Sequence, residues 1–120
     1  MPVRSLRSSV LKWPDRREVE RGVAEWAARE APRHPGLLRL GYFGSYGRGD
    51  SGVGSDLDLI AVVESSADPF ERRALKWELN SLPVPAEILV YTRQEWERLQ
   101  QQGGRFAQAL QQDARWLGLS

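Results

Sequence analysis

The sequence predicts an α/β domain in which a small sheet is flanked by helices, and three observations predict it. Three apolar runs have strand length: Leu37 to Phe43, Leu57 to Val63 and Val84 to Tyr91. The segments around them repeat apolar residues at helical rather than strand spacing. Proline- and glycine-bearing stretches separate the two kinds of segment. The resulting order is helix, strand, glycine turn, strand, helix, strand, helix, helix. With 120 residues there is room for one core of useful size, so a single domain over 1–120 is expected.

Each element has its own reason. Residues 1–13 alternate loosely and read equally well as a tail or an edge strand. Asp15 with Glu18 three positions on forms a capping-box pattern. Val19, Val23, Trp26 and Ala27 then recur on one helical face, and the helix should stop before Pro32. Pro32 to Gly36 reads as a loop, and His34 as a loop histidine. Leu37 to Phe43 runs as a strand into the glycines. Asp50 to Ser55 is a polar loop. Leu57 to Val63 is apolar on both faces, as a covered central strand requires. Pro69 to Asn80 reads as a helix with proline in its first turn. Arg72, Arg73 and Lys76 should form its solvated basic face. Arg93 to Gln102 is a further helix, broken by Gly103-Gly104, and Phe106 to Trp116 is the last. Trp26, Trp77 and Trp96 take core-like helical positions, while Trp13 and Trp116 near the ends are expected to be partly exposed.

Composition narrows the function. An apolar fraction of 41% with five tryptophans suffices for a packed interior. There are no cysteines, which excludes disulfides and thiol nucleophiles. Seventeen basic and sixteen acidic residues nearly cancel, so no broad nucleic-acid-binding face is expected. No apolar run approaches a membrane span, and Met1-Pro2-Val3-Arg4 opens no secretory leader. A soluble, cytoplasmic protein with no membrane contact is expected.

The chemistry concentrates between residues 44 and 58. A strand that ends at Gly44 and turns into a helix offers unpaired backbone N–H groups to an anion such as phosphate. Gly44, Gly47 and Gly49 allow close approach, Ser45 can donate a hydroxyl hydrogen bond, and Arg48 can add charge or face solvent. By itself such a turn is as compatible with a structural role. It matches neither the P-loop nor the dinucleotide fingerprint. Asp56 and Asp58 stand two apart, so on a strand both carboxylates point to one face. Held together they repel, unless a cation compensates. Magnesium suits that pair, since it takes one or two carboxylates plus substrate phosphates. The alternative is a solvated turn into a strand. Ten residues separate Ser45 from Asp56, enough to return the chain beside the first strand and let both features face one pocket. Metal-assisted nucleotidyl transfer fits that geometry.

The pattern Gly44-Ser45-x₁₀-Asp56-x-Asp58, within Gly41-Tyr42-Phe43-Gly44-Ser45-Tyr46-Gly47-Arg48-Gly49 and Gly54-Ser55-Asp56-Leu57-Asp58-Leu59, resembles the signature of the polymerase-β-like nucleotidyltransferases. The motif core spans about 37–99. The short chain is similar to the minimal members, which act as antitoxins beside HEPN-domain toxins. The resemblance implies a small mixed sheet flanked by helices, bound Mg²⁺ and a nucleoside triphosphate, usually ATP. It also implies transfer of AMP to an acceptor hydroxyl, in the antitoxin form a tyrosine of the partner toxin. The alternative is a binding module that neutralises such a partner by contact. Glu87 is the candidate third carboxylate, expected as a metal ligand and base for the acceptor. It is the one acid in an apolar strand, where a buried acid calls for a partner; otherwise it is an exposed edge-strand residue. Family members mostly use aspartate here. Glutamate carries the carboxylate outward by at most ~1.5 Å, one C–C bond.

Overall fold

A computed structural model describes residues 13–118. The tail-or-strand reading of residues 1–12 lies outside the described residues. Helix α1, Arg16–Glu30, starts at the expected capping box: Asp15 Oδ1 accepts from the Glu18 N–H at 2.9 Å, and Glu18 accepts from the Asp15 N–H at 2.9 Å. Its buried face is Val19, Val23, Trp26 and Ala27, each larger side chain adding about 2 kcal/mol by leaving water. The α-helix ends at Glu30 and a 3-10 turn, Ala31–Arg33, absorbs Pro32.

Strand β1, Leu37–Phe43, leads into the five-residue helix α2, Gly44–Arg48, and the chain returns as β2, Leu57–Val63. Strand β3, Ala86–Thr92, runs parallel to β2, while β1 and β2 are antiparallel. With the two-residue strand β4, Arg115–Trp116, the order β3-β2-β1-β4 makes a four-stranded mixed sheet. Alternation sorts its faces. Leu40, Tyr42, Leu57, Leu59, Ala61, Ile88 and Val90 join the α1 residues in the main core. The opposite face carries Phe43, Asp58, Ile60, Val62 and Glu87. Ile60 and Val62 are buried there, and Ala107 and Leu110 of the last helix are also buried.

Three expectations fail for identifiable reasons. The helix expected over Pro69 to Asn80 is only α3, Phe70–Arg73, followed by a 3-10 turn, Ala74–Lys76. Trp77 leaves the helix in extended conformation and stacks on His34 at 3.6 Å, 6.0 Å from Trp26. Burying an indole outweighs one further helical turn. Arg73 is therefore not part of a solvated basic face. It is buried, donating to Val90 O at 3.0 Å, Asp68 O at 2.9 Å and both Glu95 oxygens at 2.6 and 3.1 Å. After α4, Arg93–Gln102, the last helix, α5, is Arg105–Asp113 rather than Phe106 to Trp116. Arg115 and Trp116 instead form β4 on the free edge of β1, opposite Tyr42 and Gly41. Gly41 permits this, because a side chain there would collide with the Arg115 carbonyl. Arg39 then lies over the Trp116 ring at 3.9 Å.

Candidate active site

The site forms where β1 ends and β2 and β3 begin. In register, Phe43 of β1 stands opposite Asp58 of β2, and Asp58 stands opposite Glu87 of β3. Paired residues share a face, so the three form a row across the sheet. Asp58 points to this face because Leu57 and Leu59, on either side of it, are fully buried in the core on the other. Asp56 lies just before the strand and is exposed.

Gly44 joins the glycine turn to this row. It has φ +68°, and any Cβ there would run into the Asp58 carboxylate. Only glycine brings the start of α2 this close to Asp58 without strain. Ser45 is half-buried. Its carbonyl accepts from the Gly49 and Asp50 N–H groups at 2.9 and 3.0 Å, and its hydroxyl makes no hydrogen bond among the described residues. Arg48 is exposed at the far end of α2, donating to Asp50 at 3.1 Å and Asp113 at 3.5 Å. Those two aspartates, rather than the glycine turn, hold its guanidinium.

The electrostatics favour a cation at the row. Asp58 is half-buried and forms no ion pair or hydrogen bond among the described residues. Burial pushes its carboxyl above the ordinary range, and the charges of Glu87 and Asp56 push it further; Arg48 acts weakly the other way. A metal ion would relieve all three raising effects at once.

Glu87 departs from expectation in one respect. It is exposed rather than buried, so the argument that a buried acid demands a partner does not apply to it. Among the described residues no three His, Cys, Asp or Glu side chains gather into a metal-holding group. Like charges at that spacing repel, and the extra methylene lets Glu87 take its carboxylate toward water. The residues still fit magnesium in its usual mode, with two carboxylates and the remaining ligands from phosphate and water. A cavity of about 550 Å³ elsewhere, lined by Ala24, Ala27, Ala28, His34, Leu37 and Leu117 among others, has no carboxylate in its lining to hold such a cation.

A family model described as a nucleotidyltransferase domain matches residues 26–115, a span that holds α1 from Trp26, strands β1 to β3 and the carboxylate row. The chain belongs to the nucleotidyltransferase domain family. A candidate nucleotidyltransferase from Sulfolobus solfataricus is similar in fold, with TM-score 0.55 and 20% identity over 81% of this chain and 82% of that one. No curated protein matches the sequence. As a nucleotidyltransferase domain, the chain takes a nucleoside triphosphate and transfers a nucleotidyl group. Among the described residues, no helix is long and apolar enough to cross a membrane.

The sequence pointed to Gly44, Ser45, Arg48, Asp56, Asp58 and Glu87, and four of these six belong to one neighbourhood: Gly44 against Asp58, Asp56 acting on its charge, and Glu87 in register beside it. Phe43, which the register places opposite Asp58, was not among them.

Proposed function

We propose that this nucleotidyltransferase domain is a Mg²⁺-dependent adenylyltransferase that moves AMP from ATP to an acceptor hydroxyl. The observation that carries the reading is Asp58: half-buried, destabilised as an anion by burial and two neighbouring acids, and packed against the first residue of the glycine turn. Asp56 and Asp58 are the carboxylates for the metal, and Gly44 and Ser45 meet the triphosphate tail. Bound magnesium neutralises phosphate charge and polarises the α-phosphoryl group. Glu87, one strand along from Asp58, accepts the proton of the attacking hydroxyl. The acceptor oxygen bonds to the α-phosphorus and pyrophosphate leaves. Arg48 supplies positive charge near the tail if it exchanges its aspartate partners for phosphate. We assign the role of acceptor to a HEPN-domain partner protein within a cytoplasmic toxin–antitoxin pair.

The test is incubation with α-labelled ATP, Mg²⁺ and the candidate partner. Label should move to the partner, fail to move with Asp58→Ala, and slow with Glu87→Gln. If Glu87→Gln leaves both rate and metal dependence unchanged, Glu87 has no part in the chemistry.

One observation favours a second reading. Glu87 stands exposed and outside any three-carboxylate cluster, and a catalytic group displaced by about 1 Å can lose on the order of 10²-fold in rate. In that reading the domain binds nucleotide and neutralises its partner by contact. Tight partner binding without label transfer would establish it.

A further inference from the structure

The turn from β1 into α2 is held from behind by the segment Asp113 to Trp116. Gly41 and Gly47 stand three residues either side of Gly44, and both lie against that segment. A side chain at Gly47 would collide with the Asp113 carbonyl, as one at Gly41 would with the Arg115 carbonyl. Gly47 is thus accounted for by this contact. Arg115, the first residue of β4, is exposed, yet its Nε donates to the Gly47 carbonyl at 2.7 Å. Asp113, two residues earlier, pairs with Arg48 at 3.5 Å.

Helix α2 needs such support. Its five residues are too few to hold a helix by themselves. Gly49, at φ +85°, closes its last turn by donating to the Ser45 carbonyl. Two guanidinium groups then take carbonyls at that end. Arg16 of α1 donates to the Gly49 carbonyl at 3.1 Å, just past the helix. Arg115 holds a carbonyl of α2 itself. A rotation of α2 about that end would carry Gly44 away from the Asp58 carboxylate, against which it is seated.

We propose that Arg115 is a positioning residue for nucleotidyl transfer: by holding the Gly47 carbonyl it keeps α2 oriented so that Gly44 and Ser45 meet the triphosphate beside Asp58. The proposal rests on the nucleotide reading of the glycine turn and the carboxylates, and it gives Arg115 no contact with the substrate. Without the donor, α2 is correctly placed in only a fraction of the molecules, and the apparent affinity for nucleotide falls with that fraction. The fall can reach about tenfold, the whole strength of an ordinary hydrogen bond.

Arg115→Gln and Arg115→Met separate the donor from the bulk of the side chain. The glutamine amide nitrogen lies as many bonds from the backbone as the arginine Nε, so it can donate to Gly47 without the charge; methionine has the same reach and no donor. Two measurements are made well below the melting temperature. Amide hydrogen exchange in the ligand-free protein reads α2 directly, through the Gly49 and Asp50 N–H groups that donate to the Ser45 carbonyl. Calorimetric titration with α,β-methylene ATP and Mg²⁺ reads the consequence, since the methylene bridge blocks transfer. Arg115→Met should speed exchange at both amides and weaken the analogue by about three- to tenfold. Arg115→Gln should stay within about twofold of wild type in both. Unchanged exchange or unchanged analogue affinity in Arg115→Met overturns the positioning role and leaves the nucleotide reading in place. An equal loss in Arg115→Gln overturns it too, because the hydrogen bond is then not what matters. If the unsubstituted protein does not bind the analogue, the nucleotide reading falls and the positioning role with it.

Discussion

Arg73→Ala probes the strut that holds β3, and with it Glu87, in place. In the folded protein Arg73 is nearly buried, and its guanidinium closes on the carbonyls of Val90 and Asp68 and on the Glu95 carboxylate. Hydrogen bonds from Arg73 come first among the effects that bring the Glu95 carboxyl from the ordinary 4.5 down to about 2. At about 1.4 kcal/mol per tenfold change in proton affinity, the whole depression corresponds to roughly 3.4 kcal/mol. The Glu95 side chain is 34% exposed, so solvent screening reduces the share that reaches stability to about 2 kcal/mol. Truncation also strips the buried Val90 carbonyl of its donor, a further loss of about 1–2 kcal/mol. The expected total is about 3–4 kcal/mol, within the range for breaking one side of a buried ion pair. Urea unfolding followed by tryptophan fluorescence reads this directly, since Trp26 and Trp77 are both buried. The acid profile gives an independent sign. Because the folded carboxyl has the lower proton affinity, its contribution is complete above about pH 4.5 and disappears as pH falls toward about 2. Arg73→Ala should flatten that part of the acid profile. A variant within 1 kcal/mol of wild type with the same acid slope would refute the strut.

Other perturbations separate folding from function. Asp58→Asn should abolish transfer and metal-dependent nucleotide binding while raising the melting temperature of the metal-free protein at neutral pH. The sign follows from the raised folded carboxyl: the folded state holds its proton more tightly, so metal-free stability falls as pH rises through that titration, and asparagine removes the fall. A lower melting temperature would mean the carboxylate stabilises the fold. Gly44→Ala should destabilise by at least about 1–2 kcal/mol from the left-handed backbone alone, and more from collision with Asp58; calorimetry that finds a neutral change sinks the close-approach argument. Glu87→Asp should alter transfer rate more than nucleotide affinity, as a shift of one bond length at the acceptor side predicts, and equal changes in both would place Glu87 in ground-state binding.

Much of this was legible in the sequence because periodicity reports which face is buried. Strands β1 and β2 and helix α4 have the limits that their residue patterns indicate, and the capping box of α1 was visible in Asp15 and Glu18. The failures share a cause. Trp77 and Trp116 each sit at helical spacing in sequence, yet each leaves its helix for a partner distant in the chain: His34 and Trp26 for Trp77, the free edge of β1 for Trp116. Arg73 failed likewise, since Val90 and Glu95, two of its acceptors, lie 17 and 22 residues away. Local spacing carries no record of such contacts. In the site, the Asp56-x-Asp58 spacing and the glycine turn were readable, whereas the exposure of Glu87 depends on its seat at the edge of the sheet.

The site and the core are two sides of one alternation. Leu57 and Leu59 have no exposed surface, and their burial against α1 leaves Asp58 only the other face. A one-residue slip of β2 would bury Asp58 among Val19, Val23 and Trp26, at the high cost of an unpaired buried carboxylate. The apolar packing of α1 thus fixes where the carboxylate points, and holds it near Asp56 and Glu87 against their mutual repulsion. A shortened core residue should consequently reach the chemistry. Leu59→Ala is expected to lose about 2–5 kcal/mol and to weaken magnesium-dependent nucleotide binding in the fraction that remains folded. Loss of stability with unaltered binding per folded molecule would show that the carboxylate row keeps its position without the core behind it.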